Sequence, residues 1–161
     1  MMPTVKFYDP RNGHFAGLSN LHPRPMTFEG IRYASAEHAY QAAKARDPVI
    51  RAWLMAAPTT ELVAVAGDAL AADEIAPGWH AQHVALMERI VRAKFLEHAD
   101  LLQLLLSTGD AKIVEWAPED SAVARFWGEY DGMGENTLGL MLMRLRDSLR
   151  ETDTAMGRNL R

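Results

Sequence analysis

From Ser35 onward most apolar residues recur every three or four positions, and proline or glycine repeatedly interrupts the pattern. Breaks at Asp47-Pro48, Pro58, Gly67, Pro77-Gly78 and Gly109 divide it into helices that must bury their apolar stripes against one another. Ser35 reads as an N-cap with Glu37 in the first turn, opening a helix that runs to about Ala45. A second helix covers about 49–56. A third is capped by Thr59 or Thr60 and ends at Gly67. Residues 68–79 read as a loop with a helical turn. The strongest periodicity spans about 81–97, where Val84, Met87, Ile90, Val91 and Phe95 share a face. Asp100 opens a Leu-rich helix that Gly109 stops, and a last helix starts near Asn136 with Leu138, Leu142, Leu145 and Leu149 on one side.

The first third reads differently. Val5, Phe7 and Tyr8 suggest a short strand ending at Asp9-Pro10, followed by an Arg11-Asn12-Gly13 turn. Residues 14–25 read as a loop. Met26, Phe28, Glu29-Gly30, Ile31 and Tyr33 predict a tight hairpin. Residues 112–116 form one further strand candidate. The expected fold class is α+β: a mainly helical single domain over residues 1–150 with a small N-terminal β-sheet, then a flexible polar tail over 151–161.

Composition excludes several chemistries. The chain has 161 residues and no cysteine, so disulfides, thiolate metal sites and cysteine nucleophiles are ruled out. A formal net charge of −4 argues against a broad phosphate-gripping surface. No apolar run approaches the ~18 residues of a membrane span. Met1–Lys6 lacks the apolar stretch of a signal peptide, so a cytoplasmic location and no membrane partner are expected.

The segment Tyr33-Ala-Ser35-Ala-Glu37-His38-Ala39-Tyr40-Gln41-Ala42-Ala43-Lys44 carries most of the chemistry. At about 100° per residue, Glu37, Gln41 and Lys44 fall at about 0°, 40° and −20°, on one narrow stripe. Carboxylate, amide and ammonium suit either a solvated face or a pocket wall. The surrounding alanines leave Tyr40 as the one large aromatic on this helix, so the helix can approach its neighbours closely. Burial would then let the carboxylate and the amine tune each other's protonation.

This segment resembles the signature of the NADAR/YbiA-like family, Ser-x-Glu-His-x-(Tyr/Phe)-Gln-Ala-x-Lys. The resemblance extends through Phe7-Tyr8, Phe15 and Leu18-Ser19-Asn20, then Pro58, Gly67 and Trp79, then Met87 to Lys94-Phe95, with Ile90 where alanine is usual. It continues through Leu105, Thr108-Gly109-Asp110 and Ile113-Val114-Glu115 to Trp127-Gly128, and ends in the block Gly134 to Arg146. The resemblance implies a YbiA-like fold and an enzyme that breaks an N-glycosidic bond to ribose. Its substrates would be phosphoribosylamino-pyrimidine intermediates of riboflavin synthesis, or ADP-ribose on the exocyclic amine of guanine in nucleic acid. Both place ribose C1 on an exocyclic nitrogen.

By motif position, the resemblance makes Glu37 the acid/base residue and Lys44 either a Schiff-base amine or its electrostatic partner. Lysine is sparse, with four against 13 arginines, and only lysine can deprotonate to act as a nucleophile. Asp120 is a further carboxylate candidate. In the family an Asp stands three residues before the Trp-Gly pair, whereas Asp120 stands seven before Trp127, with Ser121–Ala124 as an apparent insert. Glu115 is a lesser carboxylate candidate. The expected substrate contacts are Asn20, Tyr33, Ser35, His38, Gln41, Trp79, Trp127, Gly128 and Asn136.

Trp79 reads as a loop platform for a flat base or as a core plug. Trp127-Gly128 lies in a stretch with Gly132 and Gly134 that could offer backbone N–H groups to a phosphate. Asn136 reads as an N-cap that also faces the pocket. Arg11 and Arg32 are candidate anion contacts. His80 and His83 are spaced i,i+3 with no third ligand in view, so no metal and no cofactor are expected. The pocket is expected between the Glu37–Lys44 helix, the Trp79 loop and the Trp127–Asn136 loop. The competing functions are a non-catalytic binder of ADP-ribose or NAD, and an antitoxin partner of a base-modifying transferase.

Overall fold

A computed structural model describes residues 2–158. They form four strands, β1 (Thr4–Phe7), β2 (Met26–Phe28), β3 (Ile31–Tyr33) and β4 (Lys112–Glu115), and seven helices. The helices are α1 (Ala36–Lys44), α2 (Pro48–Met55), α3 (Thr60–Asp68), α4 (Trp79–Glu97), α5 (Ala99–Ser107), α6 (Ala122–Trp127) and α7 (Thr137–Arg158). Single 3-10 turns occur at Ala16–Leu18 and Ala72–Glu74. The class is α+β and mainly helical, as expected.

The expected single small sheet is two separate pairs. β1 runs parallel to β4, with Thr4 opposite Lys112 and Phe7 opposite Glu115. β2 and β3 form an antiparallel hairpin. Glu29 and Gly30 take φ of 49° and 79° at its tip, the left-handed pair that a two-residue hairpin turn requires.

The chain divides into two compact units, residues 1–19 with 100–161, and residues 20–99. In the first, α7 lies against β4, and α6 packs on α7. Its core includes Phe7, Leu18, Leu105, Ile113, Leu138, Met141 and Leu142. Arg146 is buried there and donates to the Ala111 carbonyl at 2.8 Å and the Thr108 hydroxyl at 3.0 Å.

In the second unit α1 is central, packing on α2, α3, α4 and β3. Ala36, Ala39, Ala42 and Ala45 are all buried, so small side chains permit this close packing on several sides. Ala45, Leu54 and Val63 form one apolar cluster joining α1, α2 and α3. On α4, Met87, Ile90, Val91 and Phe95 are buried, as their spacing predicts. Each short helix is capped by an oxygen side chain, Ser35, Asp47 or Thr59, at a typical ~1 kcal/mol of stabilisation.

Two expectations are corrected within the first unit. The chain after Asp120 does not continue as a loop to Trp127: Ser121 caps α6, its Oγ accepting from the Ala124 N–H, and Trp127 ends that helix. The expected tail does not begin at 151, because α7 continues through Arg158. Residues 159–161 lie outside the described residues.

Candidate active site

Helix α1 positions the stripe. Its N-terminus is fixed twice, by Ser35 Oγ accepting from the His38 N–H at 3.1 Å and by the Asn20 carbonyl accepting from the Glu37 N–H at 3.1 Å. Glu37 and Gln41 are both buried and Lys44 is half-buried, so the stripe is a largely buried wall and not a solvated face. Gln41 Nε2 donates to Glu37 Oε1 at 2.8 Å. Burial pushes the Glu37 carboxyl up to about 7, opposed by the Gln41 hydrogen bond and the Lys44 charge and assisted by the Asp68 charge. A carboxyl poised near neutrality can both give and take a proton.

Lys44 makes no ion pair with Glu37 among the described residues. Its Nζ donates to the Gly67 carbonyl at 2.8 Å, at the last turn of α3. Gln41 Oε1 is buried without a hydrogen-bond partner among the described residues.

An aromatic group stands on the other side of the stripe. The Tyr40 ring centroid lies 5.0 Å from that of Trp79, and the Trp79 ring stacks on His83 at 5.8 Å. Tyr40 Oη lies 3.1 Å from His83 Nδ1. Burial raises the Tyr40 phenol, helped by the Glu37 and Asp68 charges, so it stays protonated. Burial lowers the His83 imidazole, helped by His80 and Lys44. Trp79 is the first residue of α4 and is 7% exposed, so it is a buried packing partner of Tyr40 and not a loop platform.

The remaining predicted residues of this unit hold contacts within the fold. His38 Nε2 lies 2.9 Å from the Ala57 carbonyl, which only accepts, so that nitrogen carries a proton. Its Nδ1 lies 2.7 Å from Ser35 Oγ. Both ring nitrogens are therefore engaged within the fold, tying α1 to the turn after α2. Asn20 Nδ2 donates to Met87 Sδ at 3.2 Å. Tyr33 is buried at the end of β3 opposite Met26, and Arg32 pairs with Glu97 at 2.6 Å.

Asp120, Trp127, Gly128 and Asn136 belong to the first unit. Asp120 is exposed, and both its oxygens are held by Arg125 at 2.6 and 3.0 Å. Trp127 meets Phe126 edge to face at 4.9 Å. Gly128 passes so close to the Glu115 carbonyl that no Cβ would fit. Asn136 does not spend its side chain on a cap. Its Nδ2 donates to the Ile113 carbonyl at 2.8 Å and its Oδ1 accepts from the Glu115 N–H at 3.2 Å, fastening α7 to β4.

Sequence reasoning missed three contributions. Asp68 acts electrostatically on Glu37 and Tyr40, Gly67 accepts from Lys44, and the Tyr40–His83 contact joins α1 to α4. The i,i+3 spacing of His80 and His83 drew attention to a metal rather than to this pairing.

An α+β protein with an acid, an amide and an amine along one buried helix thus stands as a small candidate hydrolytic site. A family model described as the NADAR domain matches residues 6–150, and the chain belongs to the NADAR domain family. N-glycosidase YbiA of Escherichia coli is 30% identical over 150 residues, covering 92% of this chain and 91% of that protein. An N-glycosidase of Nostoc punctiforme is 35% identical over 137 residues, covering 83% and 85%. A riboflavin biosynthesis protein of Vibrio vulnificus is 34% identical over 160 residues, which cover 94% of this chain and only 40% of that protein's length. The NMR structure of Escherichia coli YbiA is similar with a TM-score of 0.83 at 30% identity, covering 96% of this chain and 89% of that one. No helix among the described residues is long and apolar enough to cross a membrane.

Proposed function

We propose that this chain is an N-glycosidase that hydrolyses the bond between ribose C1 and an exocyclic amine. The observation that carries this reading is the buried Glu37 carboxyl, raised to about 7 and oriented by Gln41. Two relatives whose lengths this chain largely covers bear the name N-glycosidase, which supports the same reaction class. A pure ADP-ribose or NAD binder would have no use for a carboxyl held near neutrality.

In the direct route, protonated Glu37 gives its proton to the leaving nitrogen as the C1–N bond breaks, and ring oxygen stabilises positive charge at C1. Water adds to C1 and returns a proton to Glu37. In the covalent route the sugar ring opens to an imine, the Lys44 amine adds to C1, and the departing amine takes a proton from Glu37. Water then hydrolyses the lysine imine to release the sugar. The second route requires Lys44 Nζ to leave the Gly67 carbonyl, so the resting geometry favours the first.

The net charge of −4 favours a small nucleotide-like substrate over long nucleic acid. A side-by-side assay of a phosphoribosylamino-pyrimidine and ADP-ribosylated guanosine DNA tests the reading. Release of free amine from the pyrimidine substrate is expected, and release from neither overturns the reaction class. Borohydride reduction during turnover, followed by mass spectrometry, separates the routes: a reduced sugar adduct on Lys44 requires the covalent one.

A further inference from the structure

Gly67 lies inside α3, where glycine is the least favourable residue after proline. Its φ is not positive, so the backbone there does not call for glycine. The reason lies in space. A Cβ at residue 67 would run into the Gln41 side chain, whose Oε1, Cδ and Cγ are the three nearest atoms and leave it no room. The Gly67 carbonyl, meanwhile, accepts from Lys44 Nζ at 2.8 Å. One residue of α3 therefore seats two members of the α1 stripe, one through the atom it lacks and one through the carbonyl it presents. Gln41 in turn makes the 2.8 Å hydrogen bond that holds Glu37.

We propose that Gly67 is a positioning residue for this site: its bare Cα sets where the Gln41 amide stands against Glu37, and its carbonyl fixes the resting place of the Lys44 amine. This rests on the reading of Glu37 and Lys44 given under Proposed function. Gly67 touches no reacting atom and acts through its neighbours. An added methyl at 67 displaces Gln41, the Glu37 carboxyl loses the hydrogen bond that holds its proton affinity down, and its titration moves above about 7.

The test compares Gly67→Ala, Gln41→Ala and the double variant. With Gly67→Ala, kcat is expected to fall by about 10²-fold with KM little changed. The high-pH limb of the rate profile should move upward, and the Glu37 carboxyl, followed by carbon NMR without substrate, should titrate at higher pH. In the Gln41→Ala background the three atoms nearest that methyl are gone, so Gly67→Ala should add less than about twofold. An equal loss in both backgrounds, or an unmoved Glu37 titration, overturns the proposal. If Gly67→Ala alone fails to fold, folding of the double variant supports the inferred collision, and failure of both overturns it. The NMR titration needs no activity, so its outcome stands apart from whether Glu37 and Lys44 are catalytic.

Discussion

Gln41 Nε2 reaches Glu37 Oε1 across one turn of α1 at 2.8 Å, which aims a buried carboxyl with a buried amide. Glu37→Gln keeps the shape of the side chain and removes the transferable proton. Turnover is expected to fall by about 10²-fold or more while ligand affinity stays within a few-fold. Steady-state kinetics with calorimetric binding on the same preparation checks this, and unchanged turnover removes Glu37 from the reaction.

Glu37 also imposes a pH dependence on stability. Its ordinary value is 4.5 and burial raises it to about 7, so between those values the folded chain holds a proton that the unfolded chain releases. Stability from this group is full below 4.5, declines as pH rises, and is lost above about 7. The span is on the order of 3 kcal/mol. Urea unfolding at pH 5 and pH 8 should show the decline in the parent chain and a flatter response in Glu37→Gln.

Lys94 contributes with the opposite sign. It is 1% exposed, and burial lowers its ammonium from 10.5 to about 7, with the Arg24 charge acting the same way. Between those values the unfolded chain binds the extra proton, so stability rises from pH 7 toward 10.5 and falls as pH drops through 7. Lys94→Met should remove that rise. Unfolding midpoints measured from pH 7 to 10 check it, and a variant with the parent's slope refutes the assignment.

Asn136 is a structural clamp. Both ends of its amide are taken by β4 backbone, and its φ of 52° suits asparagine better than alanine. Asn136→Ala should lower stability by about 2 kcal/mol through the loss of one buried and one part-buried bond to the β4 backbone. The denaturation midpoint should fall with an unchanged slope.

Local rules read well in this chain, and tertiary ones did not. Ser35 declares itself as a cap and Glu29-Gly30 as a hairpin tip because each depends on a few neighbouring residues. The Glu37–Gln41–Lys44 stripe follows from helical spacing alone. Its burial does not, because that depends on α3 and α4 closing over it. Helix α6 escaped notice because six residues are too few to show a period. Trp79 follows Pro77-Gly78 and so reads as loop, although Gly78, with φ of 76°, turns the chain straight into α4. Asp68 is silent in sequence and Gly67 reads there only as a helix stop, since what matters is which side chains pass beside them.

The parallel pairing of β1 with β4 also governs the order in which the molecule can assemble. Residues 4–7 are made before their partners at 112–115, and all of residues 20–99 come between. The entry and exit of that intervening stretch are drawn together, since a Cβ at Gly17 would press on Leu101. Closing so long a loop is entropically slow. The segment 20–99 contains α1 and all its helical neighbours, so the Glu37–Gln41–Lys44 stripe can gather while the first strand still waits for a mate.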